Sequence, residues 1–279
     1  MNDDLNALRP RMMSVAYRML GSVADAEDAV QDAFVRYQTA GGVTSAEGFL
    51  IRTTTRLCID RLRARRRREY VGPWVPEPVE TAGRESALGE SLTQGFLLLL
   101  ERLTPDERAA FLLRAVFDYE YAEIGKVVGK AEATVRQLVS RARRRLGLDG
   151  ERRFQASATQ ADGLAERFVD ACRAGDVKAV EAMLAEDVEV HSDGGGKVSA
   201  ARVVIRGRDR VARFLTGVFR KRQYCDIYAT TVNGEPGVVF ASGGSVIQVT
   251  TLSLGADVQA VYMTVNPDKL ARWSAAEVE

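Results

Sequence analysis

Three prolines in six residues, Pro73, Pro76 and Pro78, constrain this chain more than any other feature. Proline has no backbone N–H, and it pushes the residue before it into an extended conformation. Gly72 to Val79 is therefore predicted to be extended, and it reads as a linker. Helical periodicity precedes it and resumes near residue 92. With 279 residues the chain has length for more than one domain, at roughly 100–200 residues each. Trp74 is unusual in such a linker, and its ring is expected to dock on a neighbouring domain.

Composition removes several classes. Hydrophobic residues are 46% and charged residues 28%, which excludes wholesale disorder. The longest apolar run, Gly95 to Leu100, is far too short to span a membrane. Met1-Asn2-Asp3-Asp4 does not resemble the start of a signal peptide. Cys58, Cys172 and Cys225 are scattered, so neither a metal motif nor a disulfide set is expected, and a reducing cytoplasm fits. No cofactor is expected.

The net charge of +1 hides local sorting. Asp25, Glu27, Asp28 and Asp32 share one window with Gln31. Arg61, Arg63 and Arg65 to Arg68 share a second, and Arg141 and Arg143 to Arg145 a third. Two separate basic clusters at predicted helix ends point to nucleic acid.

Helices are predicted at 5–20, at about 22–38 and at about 46–67 from apolar spacings of three and four. Gly21 stops the first, and Ser22 with Asp25 caps the second. Thr104-Pro105-Asp106-Glu107 is a strong helix start. Short helices at about 120–128 and 132–146 flank a turn at Gly129 and Lys130. The second presents Thr134, Arg136, Gln137, Ser140, Arg141 and Arg144 outward. This pattern reads as a helix-turn-helix, whose second helix enters the major groove. Ala131, at its start, supplies no capping oxygen.

These motifs resemble sigma-70-family extracytoplasmic-function (ECF) sigma factors. Asp25-Ala26-Glu27-Asp28-Ala29-Val30-Gln31-Asp32-Ala33-Phe34 is similar to the polymerase-binding helix of region 2. Asp60-Arg61-Leu62-Arg63 is similar to the −10 recognition helix. Leu103 to Arg108 and the helix-turn-helix are similar to region 4. The resemblance implies that Asp25, Glu27, Asp28, Gln31 and Asp32 bind the β′ clamp helices of core RNA polymerase, with region 4 near the β flap. It implies that Arg52, Arg56, Arg61 and Arg63 face the −10 element while the 40–46 loop holds a flipped base. The outward residues of 132–146 would read the −35 element.

Beyond a polar connector at 151–160, helices are predicted at about 161–173 and 176–185. A strand at 188–191, a loop at Asp193-Gly194-Gly195-Gly196-Lys197 and an amphipathic helix follow. Strands at 224–232, 237–241 with 245–253, and 257–265 are joined by turns that include Asn233-Gly234 and Gly243-Gly244. This order resembles a SnoaL-like, nuclear-transport-factor-2-like cone with a curved antiparallel sheet, an α+β domain. Trp74-Val75-Pro76-Glu77-Pro78-Val79, Asp193 to Lys197, and Asn266-Pro267-Asp268-Lys269-Leu270 resemble segments of ECF factors that carry such a domain. The expected organisation is region 2 at 1–68, linker at 69–91, region 4 at 92–148 and the cone at 161–273.

The resemblance implies a non-enzymatic initiation factor regulated in cis by its C-terminal domain. Trp74, Pro76, Glu77, Pro78, Asp193, Lys197, Asn266, Asp268 and Lys269 form the expected regulatory contact, with Lys197 and Lys269 against Glu77 or neighbouring acids. His191 and Asp193 lie two apart on a strand, on one face, which keeps a fused cyclase or isomerase open as an alternative. A ligand-sensing DNA-binding regulator is the other, and a small molecule in the C-terminal pocket is compatible with either.

Overall fold

The computed structural model describes residues 2–65, 70–81, 92–148 and 158–274. Arg66 to Arg68, the connector up to residue 157 and the linker beyond Thr81 lie outside the described residues. The chain forms two compact units, one from residues 1–69 with 96–151, the other from 70–95 with 152–279.

The first unit is helical. Helix α1 (Asn2–Leu20) ends at Gly21, whose φ is +65°. Ser22 then caps α2 (Val23–Thr39) by accepting from the Asp25 N–H, as the sequence predicts. That helix buries Ala26, Ala29, Val30 and Ala33, and small residues let α1 and α3 (Ala46–Arg65) approach closely. Helix α4 (Gln94–Leu100) leads to α5 (Pro105–Ala115). Thr104 and Glu107 make the expected reciprocal cap there, at 3.3 and 3.0 Å. Arg108 is buried with its guanidinium on the Met19 and Leu100 carbonyls and on Glu101.

Helices α6 (Tyr121–Val128) and α7 (Glu132–Arg145) form the helix-turn-helix. Gly129 adopts the left-handed conformation at the turn. Gly125 is required for a different reason: a Cβ there would lie 2.7 Å from the Lys130 carbonyl oxygen. Ala131 starts α7 without a side-chain cap, as expected. Glu107 on α5 accepts from Arg145 at 2.7 Å, which ties down the far end of α7.

The second unit contains α8 (Ala158–Ala174), α9 (Val177–Ala182), β1 (Leu184–Asp193), β2 (Ile205–Arg206) and α10 (Arg208–Lys221). Strands β3 (Asp226–Val232), β4 (Glu235–Ser242), β5 (Ser245–Leu254) and β6 (Val258–Thr264) follow, then α11 (Pro267–Leu270). The strand order is β2-β1-β6-β5-β4-β3. The sheet is mixed, which corrects the antiparallel expectation: β1 runs parallel to β6. A parallel pair needs a long crossover, and α10 with the strands after it supplies one. Strand alternation looks the same with either kind of partner, so sequence pattern could not distinguish them.

One sheet face packs on the helices through Val190, Val238, Phe240, Leu252, Val261 and Met263 against Phe168, Leu215 and Phe219. The opposite face carries His191, Asp193, Tyr262 and Thr264. Asn233 and Gly234 both have positive φ, forming the predicted β3–β4 turn.

Gly195 tests the Asp-Gly-Gly-Gly-Lys loop. Its φ is +59°, and a Cβ there would fall on the Asn266 side chain. Gly195→Ala should destabilise the second unit by about 1–3 kcal/mol, read as a lower urea midpoint at unchanged slope. A midpoint equal to wild type would contradict this packing.

Candidate polymerase and promoter surfaces and the linker anchor

Helix α2 turns its small residues inward, so its acids face out. Asp28, Gln31 and Asp32 are exposed at spacings of three and four, while Asp25 and Glu27 are half-buried. Val35 continues the stripe at 55% exposure. The result is a carboxylate-rich face with an apolar end.

The predicted −10 arginines are engaged inside the helical unit. Arg56 donates to the Val127 and Lys126 carbonyls at 2.8 and 3.2 Å, at the C-terminus of α6, where a cation is favoured. Arg63 binds Asp106 at 2.8 Å. Arg61 binds the Asp25 carbonyl and the Asp32 carboxylate, with Asp28 at 3.8 Å. The Arg52 guanidinium lies 5.7 Å from the centre of the Phe49 ring. The Gly41–Ser45 loop lines a cleft of about 540 Å³ whose other wall is Tyr119, Glu123, Lys126 and Val127.

On α7, Arg136, Gln137, Ser140, Arg141 and Arg144 are exposed on one side, and Thr134 is half-buried beside them. Tyr121 lies between Arg114 and Arg136, with ring distances of 5.1 and 4.3 Å. Arg141 reaches back to within 3.7 Å of Glu107. The face can meet a duplex through guanidinium and amide groups.

The linker is embedded in the second unit, and Val75, Pro76, Glu77 and Pro78 are all buried. Asp193 is the anchor and is fully buried. Its Oδ1 accepts from the Tyr70 hydroxyl at 2.6 Å and the Gly195 N–H at 2.9 Å. Its Oδ2 accepts from the Val75 N–H at 2.9 Å and Lys269 Nζ at 2.6 Å. Lys269 also donates to the Val75 carbonyl and lies 4.5 Å from the Trp74 ring. The Trp74 ring thus docks on the C-terminal domain, as expected. Asn266 caps α11 through the Asp268 N–H and donates to the Tyr70 hydroxyl at 3.2 Å.

A second seam adds the linker to the sheet edge. Thr81 donates to the Thr231 carbonyl and Asn233 to the Val79 carbonyl, both at 2.8 Å. The Asn233 side chain accepts from the Val79 N–H and donates to the Leu92 carbonyl. Trp273 donates to the Pro78 carbonyl, and Gln94 to the Pro76 carbonyl. The C-terminal end of the β3 backbone edge is thereby covered.

Two expectations change. Lys269 pairs with Asp193, and Lys197 pairs with the exposed Asp268 at 2.6 Å, while Glu77 stands 3.8 Å from Arg272. His191 and Asp193 do share a face, but His191 bonds Glu189 at 3.0 Å while Asp193 is taken by the linker. That face lies away from the helix-packed side of the sheet, and burial holds the His191 pKa below its ordinary value. Tyr70, Asn233, Gln94 and Trp273 were missed as linker contacts. Asn233-Gly234 read only as a turn, and the other three stand in no motif.

Glu235 heads β4, and burial raises its pKa from the ordinary 4.5 to about 7, against hydrogen bonds from Ser253 and the Gln94 backbone. A raised acid pKa costs stability once the unfolded carboxyl ionises. The cost begins above pH 4.5, grows to about pH 7 and then levels off. The melting temperature of Glu235→Gln relative to wild type should therefore rise across that window. A difference independent of pH would contradict the burial argument.

Residues 5–68 match the Sigma-70 region 2 family, 93–146 the Sigma-70, region 4 family, and 165–272 the SnoaL-like domain family. The chain is 34% identical to the ECF RNA polymerase sigma factor SigJ of Mycobacterium tuberculosis H37Rv, covering 95% of this chain and 92% of the relative. It is 30% identical to the probable ECF RNA polymerase sigma factor SigI of the same strain, with the same coverage. The crystal structure of M. tuberculosis SigJ matches with TM-score 0.79 at 31% identity, over 97% of this chain and 98% of that one. The chain belongs to the ECF sigma factors of the sigma-70 family, with a C-terminal SnoaL-like domain. It is an alternative sigma factor that acts with RNA polymerase on promoter DNA to direct transcription.

The anchor makes a sharp prediction. Asp193→Asn leaves the Lys269 cation buried without its counter-charge, a loss of about 3–5 kcal/mol. Lys269→Met added to it should restore part of that stability. Urea unfolding measures both variants, and a double variant less stable than Asp193→Asn would contradict the pairing.

Proposed function

We propose that α2 docks on the polymerase β′ clamp helices through Asp28, Gln31 and Asp32, with Asp25 and Glu27 supporting the field. The exposed acidic stripe carries this reading, because complementary charge speeds encounter and fixes orientation. Region 4 reads the −35 duplex through Thr134, Arg136, Gln137, Ser140, Arg141 and Arg144, whose guanidinium and amide groups can bond base edges and phosphates. Arg52, Arg56, Arg61 and Arg63 contact the −10 element.

In this arrangement Arg56 and Arg63 are held by α6 and Asp106, and the base-capturing loop faces region 4. The packed helical unit is accordingly the resting form. Polymerase binding separates the two regions and frees the arginines. Competition favours this order, since the acidic stripe that Arg61 neutralises is the stripe that polymerase takes.

The C-terminal domain modulates this step in cis. The linker segment from Tyr70 to Thr81 is held by Asp193, Lys269 and Asn233, and its release is the step the domain controls. The domain is a regulator, and its pocket takes a small molecule as signal. Support for binding over turnover comes from the hydrogen bonding of His191 and Asp193, which have separate partners. The protein works in the cytoplasm, where its polymerase is.

Two substitutions test the assignment. Asp28→Lys should weaken affinity for core polymerase about tenfold or more, measured by fluorescence anisotropy with labelled sigma. Gln137→Ala should leave core affinity alone and cost about 1–3 kcal/mol at the −35 element, with relaxed base preference there. Unchanged core affinity in the first, or unchanged promoter selectivity in the second, would overturn the respective surface.

A further inference from the structure

We propose that the cleft where α8, α10 and β3 meet binds a small monocarboxylate with an apolar body. This names the class of ligand for the regulatory pocket proposed above, and its signalling role rests on that reading. The binding itself does not.

The cleft measures about 870 Å³, within the roughly 300–1,000 Å³ of small-molecule sites. Its lining sorts by chemistry. Cys172, Val177, Phe219 and Ile227 form an apolar floor. Arg173, Arg213 and Arg220 stand at the rim against one acid, Asp226. Arg213 is shared with Asp209, and Arg173 donates to the Ile227 carbonyl at 3.3 Å. Arg220 is exposed and has no partner among the described residues. A guanidinium of this kind offers a planar two-donor fork, the geometry of a carboxylate.

Gly217 supplies an independent observation. It stands in mid-α10, where glycine is about 1 kcal/mol worse than alanine. A Cβ there would meet nothing within 4 Å, so packing within the fold does not demand its absence. Its effect is to leave the floor open beside Phe219. Hydrocarbon can lie on that floor only if the ligand has an apolar body. Asp226 at the rim, with Asp209 already paired to Arg213, disfavours a polyanion there.

The location also suits a signal. Strand β3 begins at the cleft with Asp226 and Ile227 and ends at the linker seam with Thr231 and Val232.

Cys225 lines the cleft and is half-buried, whereas Cys58 and Cys172 are 0% and 1% exposed. Its reaction with a dithiobis-nitrobenzoate reagent in the folded full chain therefore reports occupancy. Decanoate, below its micelle concentration, should slow that reaction saturably. Decanol, with the same chain and no charge, should protect at least about tenfold more weakly, since the charge-assisted contacts are lost. Arg220→Gln should weaken decanoate protection by a similar factor, each variant's unliganded rate serving as its own reference. Gly217→Leu should abolish protection by filling the floor, and circular dichroism confirms that this variant is folded. No protection by decanoate, equal protection by decanol, or full protection in Arg220→Gln would overturn the site. None of these outcomes bears on polymerase binding, which the Asp28→Lys experiment tests separately.

Discussion

A single buried carboxylate organises the C-terminal half. Asp193 receives four donors, two of them from the linker, and the Lys269 cation stands between it and the Trp74 ring. Burying such a pair is costly, and the cost is offset only when every lone pair has a partner. Here the linker completes the set. Without Tyr70 and Val75 the same carboxylate would be left under-bonded in an apolar setting. The domain and the linker are therefore one folding unit, and their contact is a condition of stability. A sheet edge sealed by Val79 to Thr81 follows the same logic, since bare strand edges invite other pairings.

The helical unit shows a comparable economy of charge. Arg61 lies against the acids of α2, Arg63 against Asp106, and Arg56 against the carbonyls that end α6. These are exchangeable contacts. Exposed ion pairs contribute only about 0–1 kcal/mol each, so a polymerase surface or a DNA backbone can displace them. The α7 side chains by contrast already face water. On the proposed assignment, polymerase docking and −10 recognition require rearrangement, while −35 reading requires only access.

Much of this was legible in the sequence. The caps at Ser22 and Thr104 are local chemistry, and both appear as read. The acidic face of α2 and the polar face of α7 follow from helical period alone. The docking of Trp74 was visible because a large ring is unusual in a linker, and the importance of Asp193, Asn266 and Lys269 because their segments resemble those of ECF factors that carry a SnoaL-like domain. The partners within that set were not legible. Lys269 chose Asp193 over the region of Glu77 because of a fold contact spanning 76 positions. The parallel β1–β6 pair was hidden because alternation carries no direction. Asn233 was seen as a turn residue, yet its side chain also holds the linker, a role that only tertiary geometry assigns.

Run-off transcription with purified core polymerase, comparing the wild-type chain with Asp193→Asn, tests the account most directly. Both chains should initiate at the same start site, since regions 2 and 4 are unchanged. Transcript level should differ severalfold, because the substitution loosens the linker from the domain that holds it. Equal levels from a variant shown to have a released linker by limited proteolysis would contradict regulation through the anchor.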